Sequence, residues 1–237
     1  MWNERQINRI FGMNGIFQGL VDLVYPRRCL FCDQMQPLRE QGVLCTDCRK
    51  KVPYVDRPIP LNVKTTGADS RHALFYYEKP VSEAILALKF NDRPDKGKGF
   101  GKLLADYVRI NVPDYESKVV VDVPLGKKRL RERRYNQSSI MAREMAKVLG
   151  LVFVNHGVAR IRETKAQSTL GGRERRENVK GSFYVNRPDL VSGRSVIIID
   201  DVMTTGSTVD ELASECKKAG ANHVTAVAVA ISFVSNF

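Results

Sequence analysis

The sequence predicts an α/β fold: a doubly wound, mostly parallel sheet, preceded by a small cysteine-bearing N-terminal module. Three observations predict it. Short aliphatic runs bounded by turn residues alternate with segments of helical apolar spacing, the pattern of strands buried on both faces between covering helices. One of these runs, VIIIDDVMTTGST from Val196 to Thr208, sets four aliphatic residues before two aspartates and a turn of small hydroxyl residues. Four of the five cysteines fall in two pairs, Cys29/Cys32 and Cys45/Cys48, each with two residues between.

The elements follow in order. Ile7, Ile10, Phe11, Phe17, Leu20, Val21 and Val24 recur at helical spacing, with Glu4, Arg5, Arg9 and Asp22 among them, so residues 1–24 read as an amphipathic helix. Those charges, and the lack of a small-residue cleavage site, separate it from a secretion signal. No run approaches the ~20 apolar residues a membrane span needs, and a cytoplasmic location is expected.

Residues 25–55 carry the four cysteines. Two thiolate pairs of this spacing close a tetrahedral site around one zinc ion, leaving no open position for catalysis. A redox pair or two disulfides are the alternatives, and a cytoplasmic protein disfavours disulfides. Arg27, Arg28, Arg49, Lys50 and Lys51 flank the site, as solubilising charge or as phosphate contacts.

Pro53, Pro58, Pro60 and the polar stretch 62–70 mark a linker over 56–70, leaving 71–237 as the main domain. Within it, 73–77 reads as a strand. Residues 81–90 and 100–110 read as helices separated by a Gly/Lys-rich loop, 91–99. Strand 119–123 precedes helix 138–149, which stops at Gly150, and a short strand 151–154 follows. The 196–199 run is a buried strand, 210–219 a helix ending at Gly220 with Cys216 in its apolar interior, and 224–231 the last strand.

Charge adds a constraint. Among the 237 residues, 38 basic and 26 acidic ones give a net charge of +12. This excess favours polyanion partners, although a basic surface that binds nothing is the alternative.

Aspartates at the end of a buried strand sit where open α/β sheets bind their ligands. Backbone N–H groups of Met203 to Ser207, before a helix, make an anion nest. Thr204, Thr205, Ser207 and Thr208 add hydroxyl donors, and Gly206 lets the backbone approach a phosphate. Carboxylates of Asp200 and Asp201 suit a vicinal diol. A ribose 5-phosphate meets both ends.

VIIIDDVMTTGST resembles the phosphoribosyl pyrophosphate (PRPP) motif of type I phosphoribosyltransferases. With the knuckle preceded by LVYPRRC, and the segments VPLGKKRLRERRYNQS and RETKAQSTLGGRERRENVKGSF, the chain resembles the ComF family of competence-associated proteins over residues ~20 to 232. These join a zinc finger to a phosphoribosyltransferase domain. The resemblance implies that Asp200, Asp201, Met203, Thr204, Thr205, Gly206, Ser207 and Thr208 bind PRPP with Mg2+. It implies that Leu125, Gly126, Lys127, Lys128 and Arg129 form the pyrophosphate loop, where the lysines and arginine also suit the charge. Gln167, Arg173 and Asn178 match a loop that covers substrate, with Gly171 and Gly172 as its hinge. Arg133 to Gln137 matches a family pattern in which Arg134 stands in place of a glycine.

The purine-salvage members carry an aspartate three residues after the second acid, where this chain has Thr204. His72, His156 and His223 read as structural, so no general base is evident and catalysis stays open. A second class of function rests on charge. Residues 127–134 hold six basic residues in eight, and 173–176 three in four. Arg129, Arg131, Arg133, Arg134, Arg175 and Arg176 are candidate nucleic-acid contacts, with Tyr135 a candidate to stack on a base. The resemblance implies handling of incoming single-stranded DNA in natural transformation, alongside other competence proteins such as a DNA-uptake helicase. The alternatives are an active phosphoribosyltransferase of unknown acceptor and a protein-docking adaptor of the uptake machinery.

Overall fold

The computed structural model describes residues 27–37, 42–56, 59, 67–162 and 177–232. The expected N-terminal helix and most of the linker lie outside the described residues, as do Gln167, Gly171, Gly172, Arg173, Arg175 and Arg176. The chain divides into two compact units, Met1–Lys51 and Val52–Phe237.

In the first unit the chain turns tightly through Cys29–Cys32, with Arg28 bridged to Met35 and the Leu30 N–H donating to the Val43 carbonyl at 2.9 Å. Helix α1, Thr46–Lys51, carries Asp47 in its first turn and Arg49, Lys50 and Lys51 in its last, each sign matched to the helix dipole. Leu30, Phe31 and Leu44 are buried beside Cys29.

The second unit is built on five parallel strands in the order β1-β7-β6-β2-β3. These are β1 Ser70–Tyr76, β2 Lys118–Asp122, β3 Val152–Phe153, β6 Ser195–Met203 and β7 His223–Ile231. Apolar residues run almost without alternation through β2, β6 and β7, because helices cover both faces of a parallel sheet. Helices α2 Val81–Phe90, α3 Pro94–Asn111 and α5 Gln137–Leu149 pack as neighbours, α5 also meeting β2 and β6. Helix α7, Ser207–Lys218, contributes Val209, Leu212, Ala213 and Cys216 to a core shared with Val119, Val121, Val196, Ile198, Val224 and Ala226. The α/β, mostly parallel fold is as the sequence predicts.

Three local expectations differ. The 91–99 loop is mostly helix, because α3 already begins at Pro94, whose missing N–H costs nothing in a first turn. Its glycines are not loop residues. A Cβ on Gly97 would lie 2.8 Å from Ile140 Cγ2, and one on Gly101 would lie 2.8 Å from the Met141 carbonyl, so both let α3 lie close against α5. The basic segment read as a loop is a helix, α4 Lys127–Arg133. An unforeseen antiparallel pair, β4 Val158–Arg160 with β5 Phe183–Val185, and a short helix α6 Pro188–Val191 precede β6.

Candidate functional site

From β2 the chain winds outward to β3, and from β6 it winds the other way to β7, so the carboxyl ends of β2 and β6 flank a topological switch point. A cavity of about 900 Å³ opens there. Asp200 and Asp201 line it, together with Met203, Thr204, Gly206, Ser207 and Thr208. Thr205 lies outside the lining, its hydroxyl 2.7 Å from that of Ser207.

The two aspartates are not equivalent. Asp201 is 5 % exposed; its Oδ1 accepts from Lys89 Nζ at 2.7 Å and its Oδ2 from Gln137 Nε2 at 2.5 Å. Asp200 Oδ1 accepts from the Asp201 N–H at 2.8 Å and from Ser138 Oγ at 3.3 Å. Burial, and then the neighbouring charge of Asp201, push the Asp200 carboxyl up to about 7. Gln137 is buried, yet its Oε1 has no hydrogen-bond partner among the described residues. An orphaned acceptor beside a protonatable carboxyl fits a ligand that brings hydroxyl donors, as a ribose diol does.

Asn136 fixes the start of α5 against the end of β2. Its Oδ1 accepts from the Ser138 N–H at 3.2 Å, while its Nδ2 donates to Asp122 Oδ2 at 2.7 Å and to the Val123 carbonyl at 3.0 Å. Burial raises the Asp122 carboxyl above its ordinary range.

The loop 203–208 is held from beneath. Arg71 on β1 makes a buried ion pair with Asp210 on α7, and Asp210 Oδ1 also accepts from the Ala68 N–H at 3.5 Å. Gly206 crosses directly over that guanidinium: its φ is +77°, and a Cβ would lie 2.7 Å from Arg71 Nη1. Both facts require glycine here.

The opposite wall is basic and partly aromatic, with Leu125, Arg129, Arg133, Arg134 and Tyr135 in the lining. Arg134, which stands where the family pattern has a glycine, caps α4 in the left-handed region, φ +65°. The Tyr135 hydroxyl donates to the Leu88 carbonyl at 2.5 Å, which fixes its ring as wall. Lys127, Lys128 and Arg131 are exposed and stand outside the lining, as does Gly126, which is buried. The Asn178 carbonyl accepts from Arg162 Nη2 at 3.5 Å. None of the three histidines lines the cavity. His72 Nδ1 lies 3.3 Å from the Tyr107 hydroxyl, and His223 opens β7.

Sequence reasoning missed Lys89, Arg71 and the role of Gln137. Lys89 and Arg71 reach partners more than a hundred residues away along the chain. A lysine closing an amphipathic helix, and an arginine inside a strand, are the only local signals they leave.

In the first unit the four Sγ atoms of Cys29, Cys32, Cys45 and Cys48 lie within 4.8 Å of one another, grouped to hold a metal ion. Tetrahedral zinc with ~2.3 Å bonds sets its sulfurs about 3.8 Å apart, and Cys32 and Cys45 stand at 3.8 Å. The Cys45 N–H meets Cys29 Sγ, and the Cys48 N–H meets Cys45 Sγ, each at 3.4 Å, satisfying two of the thiolates.

A parallel sheet with an acidic pair and a hydroxyl-rich loop at its switch point defines a type I phosphoribosyltransferase domain, here behind an N-terminal zinc ribbon. Residues 136–232 match the family described as phosphoribosyl transferase domain, and residues 20–59 the double zinc ribbon domain. The chain is 30 % identical over 208 residues to DNA utilization protein YhgH of Escherichia coli (strain K12), covering 81 % of this chain and 85 % of that one. It is 26 % identical to Competence protein F of Haemophilus influenzae, covering 83 % and 93 %. The chain belongs to the ComF family. Among solved structures it resembles a glutamine phosphoribosylpyrophosphate amidotransferase from B. subtilis at 21 % identity and a TM-score of 0.41, over 60 % of this chain and 30 % of that one.

Proposed function

We propose that this is a competence-associated protein that handles single-stranded DNA and carries a PRPP and Mg2+ site at the end of its sheet. The observation that carries the reading is the two-sided cavity, with acceptors and a hydroxyl-rich loop on one wall and three arginines on the other. Asp200, with Gln137 Oε1, receives the ribose hydroxyls, the backbone and hydroxyls of 203–208 receive the 5-phosphate, and Arg129 receives pyrophosphate. Mg2+ would neutralise that pyrophosphate and keep waters for the carboxylates to accept from. The arginines of α4 continue the positive surface outward as a track for phosphodiesters. Kinship with proteins named for DNA utilization and competence supports the DNA side. A structural zinc ion in the four-thiolate site, a cytoplasmic location and partnership with a DNA-uptake helicase complete the reading. Among the described residues no helix is long and apolar enough to cross a membrane.

Fluorescence anisotropy of a labelled single strand, titrated at several salt concentrations with and without saturating PRPP and Mg2+, tests it. Salt-sensitive binding that shifts with PRPP is expected. No binding at low salt would remove the DNA function.

One observation favours an active phosphoribosyltransferase as a second reading. The Asp200 carboxyl, at about 7, can take the proton that an incoming nitrogen releases as its bond to ribose forms and the bond to pyrophosphate breaks. PRPP-dependent pyrophosphate release that requires an acceptor and is lost in Asp200→Asn is the signature to look for.

A further inference from the structure

Helix α2 brings an unabsorbed feature to the same cavity. Leu86 and Phe90, one turn apart on one face of α2, both line it, and they are 44 % and 67 % exposed. Single exposed apolar residues are common on any surface. A pair of them inside the wall of a charged cavity, on the C-terminal half of a helix, is not that background. The Arg133 guanidinium lies over the Phe90 ring, 5.1 Å from its centroid. With two-thirds of Phe90 still open to solvent, a flat apolar surface is presented beside the arginines.

We propose that Phe90 is the stacking platform for a nucleobase of single-stranded DNA, with Leu86 as its floor and Arg133 as its clamp; this rests on the DNA-handling reading above. The occupant is chosen by charge. Among the described residues, Arg129, Arg133 and Arg134, all in the cavity wall, make no ion pair with a carboxylate, so α4 offers Arg129 and Arg133, one turn apart, with Arg134 as a short row of positive charge next to one aromatic face. A nucleobase on a phosphodiester chain satisfies both, one base on the ring and successive phosphates along the row. A free base or nucleoside would cover the ring and leave the row unmet. Tyr135, the aromatic residue the sequence suggests for this role, has its hydroxyl committed to the Leu88 carbonyl. Phe90 has no polar group to anchor and keeps its face available.

The test uses the full metal-loaded chain and two probes of equal length and charge, oligo(dT) and an abasic oligodeoxynucleotide. Wild-type protein should prefer oligo(dT), and Phe90→Ala should weaken oligo(dT) about tenfold, the order expected for one stacked base. Binding of the abasic strand, and the slope of affinity against salt, should stay as they are in wild type, because the phosphate contacts are untouched. Phe90→Trp should restore the preference, and in a Trp2→Phe background its emission should fall on binding oligo(dT). Phe90 is exposed, so thermal unfolding of these variants should match wild type.

Equal affinity for both probes, or a Phe90→Ala variant that binds oligo(dT) like wild type, overturns the platform while leaving DNA handling intact. Failure of wild type to bind either strand at low salt removes both together. If free thymidine quenched the indole of the Phe90→Trp variant at concentrations like those of oligo(dT), the platform would be reassigned to a free nucleoside and the single-strand occupant overturned.

Discussion

In the sheet unit, Phe75, Phe100, Ile197, Ile198, Leu212 and their neighbours are sealed from water across a five-stranded sheet. In the cysteine unit, the buried apolar residues that are described come to Leu30, Phe31 and Leu44 beside Cys29. Small modules commonly rely on metals or disulfides to supplement their apolar cores. Among the described residues, then, burial holds the sheet unit and a ligand set marks the cysteine unit, and each should fail under treatments that spare the other.

Metal removal is expected to have the largest effect. Structural zinc binding is worth ~10–16 kcal/mol in small domains near neutral pH. Chelation, or Cys45→Ser, should unfold the cysteine unit and release its thiols to a colorimetric reagent. The cooperative melting of the sheet unit should persist in calorimetry, and its loss on chelation would break the comparison.

The converse change is Phe100→Ala, at a side chain with no exposure. It should cost the sheet unit ~3–5 kcal/mol and leave metal content unchanged. Arg71→Met should cost about as much, ~3–5 kcal/mol, by stranding Asp210 as a buried unpaired charge. It should also loosen the 203–208 loop, and so weaken the proposed PRPP binding more than Phe100→Ala does.

Asp200 sharpens the contrast through pH. Folded, it holds its proton up to about 7 instead of the ordinary 3.8. The folded state therefore binds more protons than the unfolded one in that window. Stability of the sheet unit should fall as pH rises from about 4 towards 7 and level off above, each pH unit contributing up to ~1.4 kcal/mol. Asp200→Asn should flatten this profile in denaturant titrations, and a slope that persists would assign it to another group. The smallest effect belongs to Glu83→Gln. This breaks an exposed pair with Lys79 and should leave the denaturation midpoint where it is in wild type.

How much of this is legible in the sequence follows the range of the interactions. Aliphatic runs carry β2, β6 and β7 because burial on both faces is written locally. The cysteine pairs are legible for the same reason: their ligand spacing is short. Helix α2 is legible to the residue, since periodicity sets it. The 91–99 stretch misleads because its glycines, which look like loop residues alone, serve a helix contact with Ile140 and Met141 that no local window contains. The acidic pair is visible, but its asymmetry is not: that depends on Lys89, 112 residues away, and on Gln137. The basic run is visible as charge, while its helical form, and the exclusion of Lys127 and Lys128 from the cavity wall, come only with the fold.

The contact between α3 and α5 also limits how this sequence can drift. At position 97 an added methyl would press on Ile140 Cγ2 at 2.8 Å and crowd Ile140 Cβ and Leu88 Cδ1 at 3.3 Å, so a β-branched side chain that is stiff at χ1 would have to shift. At position 101 it would press on the Met141 carbonyl, which belongs to the neighbouring helix itself. Alanine at the first glycine thus requires side chains to shift. The second is closed to every larger residue unless α5 moves, and α5 carries Gln137 and Ser138 to the aspartates. Mutational freedom a full helix away from the cavity is set by the need to keep that wall in place.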